Sequence, residues 1–385
     1  EKLQNLGAKS DTSDANNSAE SLPSVLKWAM RPAKNLIEYF ISDPLLIAIL
    51  SGQAGDHGMP TSQVPAFMHA GIVQHYFRGA YYPLGGGFAI PRAFVRALKR
   101  AGGEIRLKTP VDQILLKQGK VAGVRLASGE EISARYVISN ADPDVTFLKL
   151  VGRENLSQKL LGKLEKTTYS TSALSLFFAV DMDLRKAGLD SGNYWFYDHE
   201  NIDKLYQLGL TDYVLHAETP PMVFMTVTTL KDPSKMHRGH HTCEAFTFVS
   251  YDAFKKYEEE ESGAHDEMYE ALKEDLALRI FQALERRIPG ISEHVVFWNL
   301  GTPLTNVHYL NTTRGNLYGT AKTSKHVRPR TFPIQTEIDG QLMCGASTLK
   351  IGVSGSNKTG LHAPKFIQNN SEAEILYQNG PPLQI

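Results

Sequence analysis

The stretch "VDQILLKQGKVAGVRLASGEEISARYVISNADP", residues 111–143, decides the fold class of this chain. Apolar and polar residues alternate in three runs, "VDQILL", "VAGVRL" and "ISARYVISN". Two short segments that contain glycine, "KQGK" and "ASGEE", join these runs. Tight glycine-containing turns between alternating runs are typical of antiparallel strands. The stretch therefore predicts an antiparallel β-meander.

A helix is predicted directly before the meander. The segment "YYPLGGGFAIPRAFVRALKRAGGEIRL" passes from a glycine-rich turn into apolar residues at helical spacing, among them Phe94, Val95 and Leu98. Gly102 stands where the glycine that follows a helix is usually found. The sequence thus predicts a turn, a helix and a meander in that order.

The residues before this helix predict a small helical region. Asp43 followed by Pro44 is typical of an N-cap and the first helical position. The run "VPAFMHAGIVQHYF", residues 64–77, predicts a further helix. Residues 22–78 are therefore expected to form a helical subdomain.

The region 150–300 is expected to contain an antiparallel sheet. The runs "ALSLFFAV", "NYWFY", "MVFMTVTTL" and "CEAFTFVSY" are rich in aromatic and β-branched residues, which favour strands. A long amphipathic helix follows and ends at "RIPG". Its predicted apolar face is made of Met268, Leu272, Leu276, Ile280 and Leu284. Residues 301–330 are loop-like in composition.

Length and charge exclude several classes of protein. The 385 residues suffice for two or more domains with a sizeable core. Lys+Arg and Asp+Glu both number 41, so no nucleic-acid partner is expected. The two cysteines, Cys243 and Cys344, argue against a disulfide framework and fit a reducing compartment. No apolar run approaches the roughly 20 residues of a membrane span.

The stretch "GQLMCGASTLKIGVSGSNKTG", residues 340–360, is the main candidate for binding a cofactor. A short apolar strand ends at a glycine, which lets the backbone approach a ligand closely. The glycine-rich segment that follows predicts a helix whose positive end can face an anionic group. The alternative is a structural connection in which glycine only permits close packing. The residues in question are Gly345, Gly352, Val353, Gly355 and Lys350.

Weaker motifs have ordinary structural explanations beside the functional ones. Gly85–Gly87 form a glycine-rich helix start that can bind an anion but match no dinucleotide fingerprint. The segment "HRGHH", with His237, His240 and His241, has spacing suited to a metal but no acidic or thiol residue nearby, so no metal is assigned. Ser347 lacks a G-x-S-x-G frame, which argues against a hydrolase.

Taken in order, these motifs resemble the phytoene desaturase-like family of flavoproteins, which also contains carotenoid isomerases and retinol saturases. The matching elements are Y-P-x-G-G, the helix, G-G-E, V-x-x-I, the meander, S-N-A-D-P, "GTPLTNVHYL…TRGNLYG" and "IDGQLMCGAST…GVSGS". The similarity spans about residues 22–365. It implies an α/β (α+β) fold: an incomplete FAD-binding Rossmann-like domain with a β-meander, plus an antiparallel-sheet substrate domain.

The resemblance implies positions that bind FAD. Val111 would offer backbone groups to the adenine, and Asn140 and Ala141 would lie near the same half of the nucleotide. The turn after the C-terminal strand would face the ribityl chain and pyrophosphate, and the next helix start would face the isoalloxazine ring. The full expected set is Gly85, Gly86, Val111, Asn140, Ala141, Gly345, Ala346, Ser347, Gly352, Val353 and Gly355. No catalytic group is assigned; the candidates are Asp56, His57, His308 and Tyr318.

The family begins with a strand–GxGxxG–helix unit that has no match here, so we expect this chain to be the C-terminal part of a longer flavoprotein. FAD binding by the chain alone is expected to be weak or absent unless the missing N-terminal portion supplies that half. The expected divisions are a disordered tail 1–21, a helical cap 22–78, FAD-domain portions 79–149 and 301–370, a substrate domain 150–300 and a tail 371–385.

The activity implied by the resemblance is FAD-dependent desaturation, saturation or isomerisation at carbon–carbon double bonds of a polyene or isoprenoid lipid. The aromatic run Tyr194–Tyr197 fits either a core or the lining for such a substrate. Two alternatives remain open: an amine oxidase-like flavoenzyme and a non-catalytic truncated homologue. The expected location is the cytoplasm or an organelle interior, with peripheral membrane contact by helices 22–78 as one option and their packing on the domain as the favoured one.

Overall fold

The computed structural model of the protein describes Pro23 and residues 25–77, 79–327, 330–349 and 351–368. The predicted tails 1–21 and 371–385, and Lys350, lie outside these residues. The described residues divide into two compact units. The first unit holds residues up to 105, 171–308 and 322–324; the second holds 106–170, 309–321 and the residues from 325 on.

Helices precede the first strands, and the two are interspersed further along the chain. The helices are α1 Ala33–Phe40, α2 Pro44–Ser51, α3 Ala66–Tyr76, α4 Ala89–Arg100, α5 Gln158–Glu165, α6 Ile202–Leu208, α7 Thr228–Lys231, α8 Glu267–Glu285, α9 Pro303–Leu310 and α10 Gly352–Gln368. The strands are β1 Val111–Lys117, β2 Lys120–Leu126, β3 Glu131–Ser133, β4 Val137–Ser139, β5 Ser172–Val180, β6 Asn193–Tyr197, β7 Met222–Val227, β8 His241–Val249, β9 Val295–Gly301 and β10 Gln341–Met343. A 3₁₀ turn covers Gly52–Asp56, and a π-helix covers Asp144–Gly152.

The first unit is built on a large antiparallel sheet with strand order β6–β7–β8–β5–β9. Successive residues of a strand point to opposite faces, so the apolar runs supply two different faces. One face, which carries Leu176, Phe178 and Ala245, packs against Ile280 and Leu284 of α8 in a buried core. The opposite face is aromatic and lies outside this core. The predicted antiparallel sheet is confirmed.

The apolar face predicted for α8 is wrong at its first residue. Met268 is 67% exposed, and Tyr269 fills the first turn instead. Residues spaced by four advance about 400° around a helix of 3.6 residues per turn. Four such steps carry Met268 about 160° away from Leu284, which is buried.

The helical region before the sheet follows the sequence prediction. Asp43 Oδ1 accepts a hydrogen bond from the Leu46 amide at 2.9 Å, and Pro44 is the first residue of α2. The helix expected over 64–77 is α3. The positive φ of Gly102, 78°, just after α4 is the left-handed conformation that glycine adopts at a helix end. Residues 79–105, which the sequence groups with the meander, lie in the first unit.

The second unit contains the predicted meander, β1–β2–β3, with one correction. The run expected to form a single third strand splits in two. The Ala134 amide still donates to the Ala122 carbonyl at 3.0 Å, but the chain then leaves the meander. Strand β4 instead pairs in parallel with β10, and the Val137 amide donates to the Gly340 carbonyl at 2.9 Å.

Three further expectations need correction. Residues 301–330 are not wholly loop, because Pro303 begins helix α9, as proline often does at a first helical position. The run "MVFMTVTTL" ends as a strand at Val227, and α7 follows at once. Strand β9, which pairs with β5, is not among the predicted strands.

Candidate functional site

The carboxyl ends of β4 and β10 meet in the second unit. The two strands pair in parallel in the register Val137 with Gln341 through Ser139 with Met343. Their next residues, Asn140 and Cys344, therefore leave the sheet side by side. In open α/β sheets, ligands bind outside the carboxyl ends of the strands. We call Asn140, Ala141, Gly345, Ala346 and Ser347 the β4–β10 cradle.

Within the cradle, the Gly345 backbone lies very close to the Asn140 side chain. Its φ is +92°, and a Cβ placed there would lie 2.1 Å from Asn140 Oδ1. Its amide donates to Thr359 Oγ1 of α10 at 2.7 Å, which ties the cradle to that helix. The position therefore accepts only glycine, as expected where backbone must approach a neighbour or a ligand closely.

The Asp142 carboxylate joins the cradle to the segment 313–316. Oδ2 accepts hydrogen bonds from the Thr313 amide and Asn316 Nδ2, both at 2.7 Å. Oδ1 accepts from Ser347 Oγ at 3.3 Å. Ser347 is buried, and its hydroxyl also accepts from the Thr320 amide at 3.3 Å. The Ser347 hydroxyl, like the Gly345 amide, is thus bonded within the unit.

Asp142 is absent from the sequence-based candidates, although it belongs to the motif S-N-A-D-P that carries the resemblance. The sequence signal for this residue was its acidic side chain between Ala141 and Pro143. A carboxylate at the start of a helix, here the π-helix from Asp144, accepts backbone donors readily.

The remaining predicted cofactor residues fall in different places. Gly352 is the first residue of α10 and has φ +75°; Val353 is 65% exposed, and Gly355 is buried. Val111 begins β1 of the second unit and is partly exposed. Gly85 and Gly86 lie in the first unit.

The Gly85 amide is already engaged by a carboxylate. It donates to Asp232 Oδ2 at 2.6 Å, while Ser234 Oγ donates to Asp232 Oδ1 at 2.6 Å. The Ser234 hydroxyl and the Gly85 amide lower the pKa of the Asp232 carboxyl. A second anion would have to displace this carboxylate from the Gly85 amide.

The second face of the large sheet carries a continuous set of aromatic side chains. Residues paired directly across antiparallel strands share a face. The pairs Trp195 with Phe224 and Phe224 with Phe246 therefore place three rings in one row. Phe224 and Phe246 stack with centroids 4.7 Å apart, and Trp195 meets both rings edge-on. We call this surface, with Tyr197, Phe248 and Phe177, the aromatic face.

The aromatic face is covered at one end and open at the other. Tyr197 Oη donates to the Gly52 carbonyl at the covered end. There the indole of Trp195 lies against Gly55. At the open end, Phe177 and Phe297 are 47% and 61% exposed. The exposed ring surface of this face therefore lies at the Phe177 end.

Asp56 marks the covered end. Tyr76 Oη donates to Asp56 Oδ2 at 2.7 Å. Burial raises the pKa of the Asp56 carboxyl, although hydrogen bonds from Tyr76 and Trp195 oppose the shift. Burial and the Asp56 hydrogen bond raise the pKa of the Tyr76 hydroxyl.

His57 and His69 form a buried pair beside Asp56. His69 Nε2 lies 2.8 Å from the Leu50 carbonyl, which only accepts, so that nitrogen carries a proton. In the neutral pair, His69 Nδ1 then accepts from His57 Nε2, 3.1 Å away. This leaves His57 Nδ1 as a buried acceptor, and the described residues give it no partner. Burial, and secondarily His69, lowers the pKa of His57 to about 3.

The His57 pair predicts a pH dependence of stability. Because the folded pKa lies below the ordinary 6.5, the unfolded chain binds the extra proton, and stability falls as pH drops below 6.5. Between pH 7 and 5 the loss attributable to His57 is about 2 kcal/mol. Urea unfolding of wild type and His57→Gln at both pH values measures the difference. An equal loss in both proteins would contradict the neutral buried imidazole.

The other sequence candidates do not join these sites. His308 lies on α9 of the first unit, and Tyr318 lies in the second unit. His237 and His240 face each other across a tight turn, and His241 Nδ1 is 2.9 Å from Thr229 Oγ1. The described residues contain no group of three or more His, Cys, Asp or Glu side chains placed to hold a metal ion. None of the described helices is long and apolar enough to span a bilayer.

The chain is similar to known proteins in both sequence and fold. A family model described as flavin containing amine oxidoreductase matches residues 14–283, more than half of the chain. The chain belongs to this family. The resemblance to flavoproteins and the predicted fold class are thereby confirmed.

Individual relatives of this flavin oxidoreductase chain are longer than it is. The all-trans-retinol 13,14-reductase of Danio rerio is 29% identical over 370 residues, which cover 92% of this chain and 60% of that protein. The chloroplastic prolycopene isomerase of Arabidopsis thaliana is 29% identical over 284 residues, 73% of this chain and 44% of that protein. An oxidoreductase structure from Methanosarcina mazei shares the fold with a TM-score of 0.63 at 18% identity, over 92% of this chain and 73% of that one. The chain spans about half the length of the curated relatives it matches.

Proposed function

We propose that this chain belongs to an FAD-dependent oxidoreductase that acts on carbon–carbon double bonds of a polyene or isoprenoid lipid. The observation that carries the proposal is the aromatic face of the large sheet. Relatives whose names specify a retinol reductase and a prolycopene isomerase support the same substrate class.

The aromatic face suits a long, flat, apolar ligand. The ring centroids of Trp195, Phe224 and Phe246 lie within 5.5 Å of each other, and the rings present both faces and edges. Aromatic surfaces bury large apolar area and stack on planar π-systems. The exposed Phe177 extends this surface toward the open end. A conjugated chain laid along β8 would contact Phe246 and Phe248 in turn, with Phe224 beside them, and exclude water.

The β4–β10 cradle fits the flavin nucleotide on an observation of its own. Close approach at Gly345, where a Cβ would collide with Asn140 Oδ1, is what a backbone site for a cofactor requires. Asn140, Ala141, Gly345 and Ala346 would hold the nucleotide, with Asp142 keeping the cradle in place. The α10 N-terminus at Gly352 offers partial positive charge to it. FAD supplies hydride transfer when bound.

The proton in this proposal belongs to Asp56. Burial raises its pKa, and Tyr76 Oη and Trp195 hold the carboxyl at the covered end of the aromatic face. His57, the following residue, has Nδ1 as a buried acceptor. Saturation of a double bond needs one proton besides the hydride, and isomerisation needs a group that can give and take one.

The helical segment of the first unit is proposed to cap the substrate surface and to touch a membrane peripherally. Several of its apolar side chains are exposed, and Lys27 Nζ lies 4.7 Å from the centroid of the Trp28 ring. Aromatic and basic residues beside exposed apolar ones are typical of interfacial helices. The exposed residues include Leu26, Phe40, Leu45, Leu46, Ile49 and Phe77.

An amine oxidase-like activity is the second candidate. Asp56 beside Trp195 and Tyr76 could pair with an ammonium group and two aromatic rings, which attract cations. Burial of Asp56 weakens this alternative, because burial raises its pKa and so disfavours the carboxylate that would attract a cation.

Ligand binding by the chain separates the two candidates. We expect a conjugated polyene to quench tryptophan emission saturably at one ligand per chain, with reduced quenching in Trp195→Phe. Benzylamine, a short cationic probe, is expected neither to bind nor to compete. Saturable benzylamine binding without polyene binding would replace the proposed function by the amine alternative.

A further inference from the structure

One row of the aromatic face is polar. Thr226 of β7 pairs directly with Glu244 of β8, and Glu244 pairs on its other side with Phe177 of β5. Asn193 and Asn299 end the same row on the edge strands. The neighbouring row holds Trp195, Phe224 and Phe246, about 7 Å away along the strands. Glu244 thus stands between the stacked rings and the open end.

Within the described part of the chain, no hydrogen bond and no opposite charge stabilises the ionised Glu244 carboxyl. Burial raises its pKa. The row partners are amides, a hydroxyl and a ring, none of them charged. Such surroundings shift the carboxyl toward the neutral acid, which has a hydroxyl donor as well as an acceptor oxygen.

The Thr226 hydroxyl is the second polar group that this inference uses. Its hydroxyl is buried, and the described residues offer it no hydrogen-bond partner. Directly opposed residues of antiparallel strands have Cβ atoms about 5 Å apart. One oxygen atom between the two side chains can therefore reach both. Leaving buried polar groups unpaired costs free energy, which a suitable ligand would recover.

We propose that Glu244 and Thr226 bind the terminal hydroxyl of a long apolar alcohol whose conjugated chain lies on the aromatic face. The inference rests on the proposed function and narrows its substrate class to polyene alcohols. An alcohol both donates and accepts, so one hydroxyl serves the acid and the threonine together. A hydrocarbon leaves both groups unpaired, and an ammonium group has no lone pair to accept from them.

The test uses three probes with the same polyene: all-trans-retinol, its hydrocarbon without the hydroxyl, and retinylamine. Affinities are measured by tryptophan quenching for wild type, Glu244→Gln and Glu244→Leu. Glutamine keeps a neutral donor and acceptor, whereas leucine removes both and leaves no new unpaired group. Phe177→Leu serves as the control, since it trims ring surface from the same row and leaves Glu244 in place.

We expect retinol to bind wild type about fivefold to tenfold more tightly than the hydrocarbon. Glu244→Gln should hold retinol within about twofold of wild type, because its amide replaces the acid as donor and acceptor. Glu244→Leu should remove the advantage of retinol over the hydrocarbon. Phe177→Leu should weaken retinol and the hydrocarbon by the same factor.

Other results would overturn the inference in distinct ways. Equal binding of alcohol and hydrocarbon by wild type would overturn it while the proposed function stands. Preference for retinylamine, lost equally in Glu244→Gln and Glu244→Leu, would assign Glu244 as a carboxylate that pairs with a cation. Failure of all three polyenes to bind wild type would overturn the proposed function and this inference with it.

Discussion

Replacing Gly345 by alanine is expected to lower the affinity of the chain for FAD by at least about tenfold. The new Cβ would lie 2.1 Å from Asn140 Oδ1, and the backbone φ of +92° is one that L-residues rarely adopt. A left-handed conformation alone costs an alanine about 1–2 kcal/mol. The collision must also move Asn140, so both strand ends of the cradle shift.

Gly360→Ala is the matched control for this change. Gly360 lies within α10, and an added Cβ there meets nothing within 4 Å. Alanine in a helix interior is more favourable than glycine by roughly 0.5–1 kcal/mol. Amide NMR shift titrations with FAD compare the three proteins, because the chain alone is expected to bind FAD weakly. Unchanged affinity in a folded Gly345→Ala protein would show that the cradle does not contact the cofactor.

Gly55→Ala is expected to disrupt the covered end of the aromatic face. A Cβ at this position would lie 1.9 Å from two ring atoms of Trp195. The indole must leave its place, and with it the hydrogen bond to Asp56 and the edge contacts with Phe224 and Phe246. Overpacking of this kind costs about 1–3 kcal/mol of stability. Polyene affinity should fall by about tenfold or more.

A second substitution tests the reason for this effect. In a Trp195→Leu background, Gly55→Ala should cost much less stability, because the colliding ring is gone. Gly71→Ala on α3 is the control, since an added Cβ there meets nothing within 4 Å. Equal costs of Gly55→Ala with and without Trp195 would mean that the collision is not the cause.

The elements predicted well were those with local signals. The meander followed from alternation and glycine turns, and α2 followed from Asp43 and Pro44. The strand, turn and helix around Gly345 were readable for the same reason. Such patterns depend only on neighbouring residues. They predicted these individual elements, whereas the fold class was implied by the family resemblance.

Contacts between distant segments were not predictable in this way. Strand β4 pairs with a strand roughly 200 residues further along the chain, and nothing in its own three residues announces parallel pairing. The approach of Gly345 to Asn140 depends on that pairing. The His57–His69 pair and the Trp195 contact with Gly55 likewise need the folded first unit. Glu244 had a local signal, because it is a charged residue within an aromatic strand, but it is absent from the sequence-based candidates.

Amide NMR shifts of the chain titrated with FAD test whether the β4–β10 cradle holds the nucleotide, because weak binding is enough for this measurement. We expect saturable shifts at Asn140, Ala141, Gly345 and Ala346, and their absence in Gly345→Ala. A polyene alcohol should shift a different set, centred on Glu244 and the aromatic face. Saturable FAD shifts at other residues, with none at the β4–β10 cradle, would show that the cradle does not hold the nucleotide.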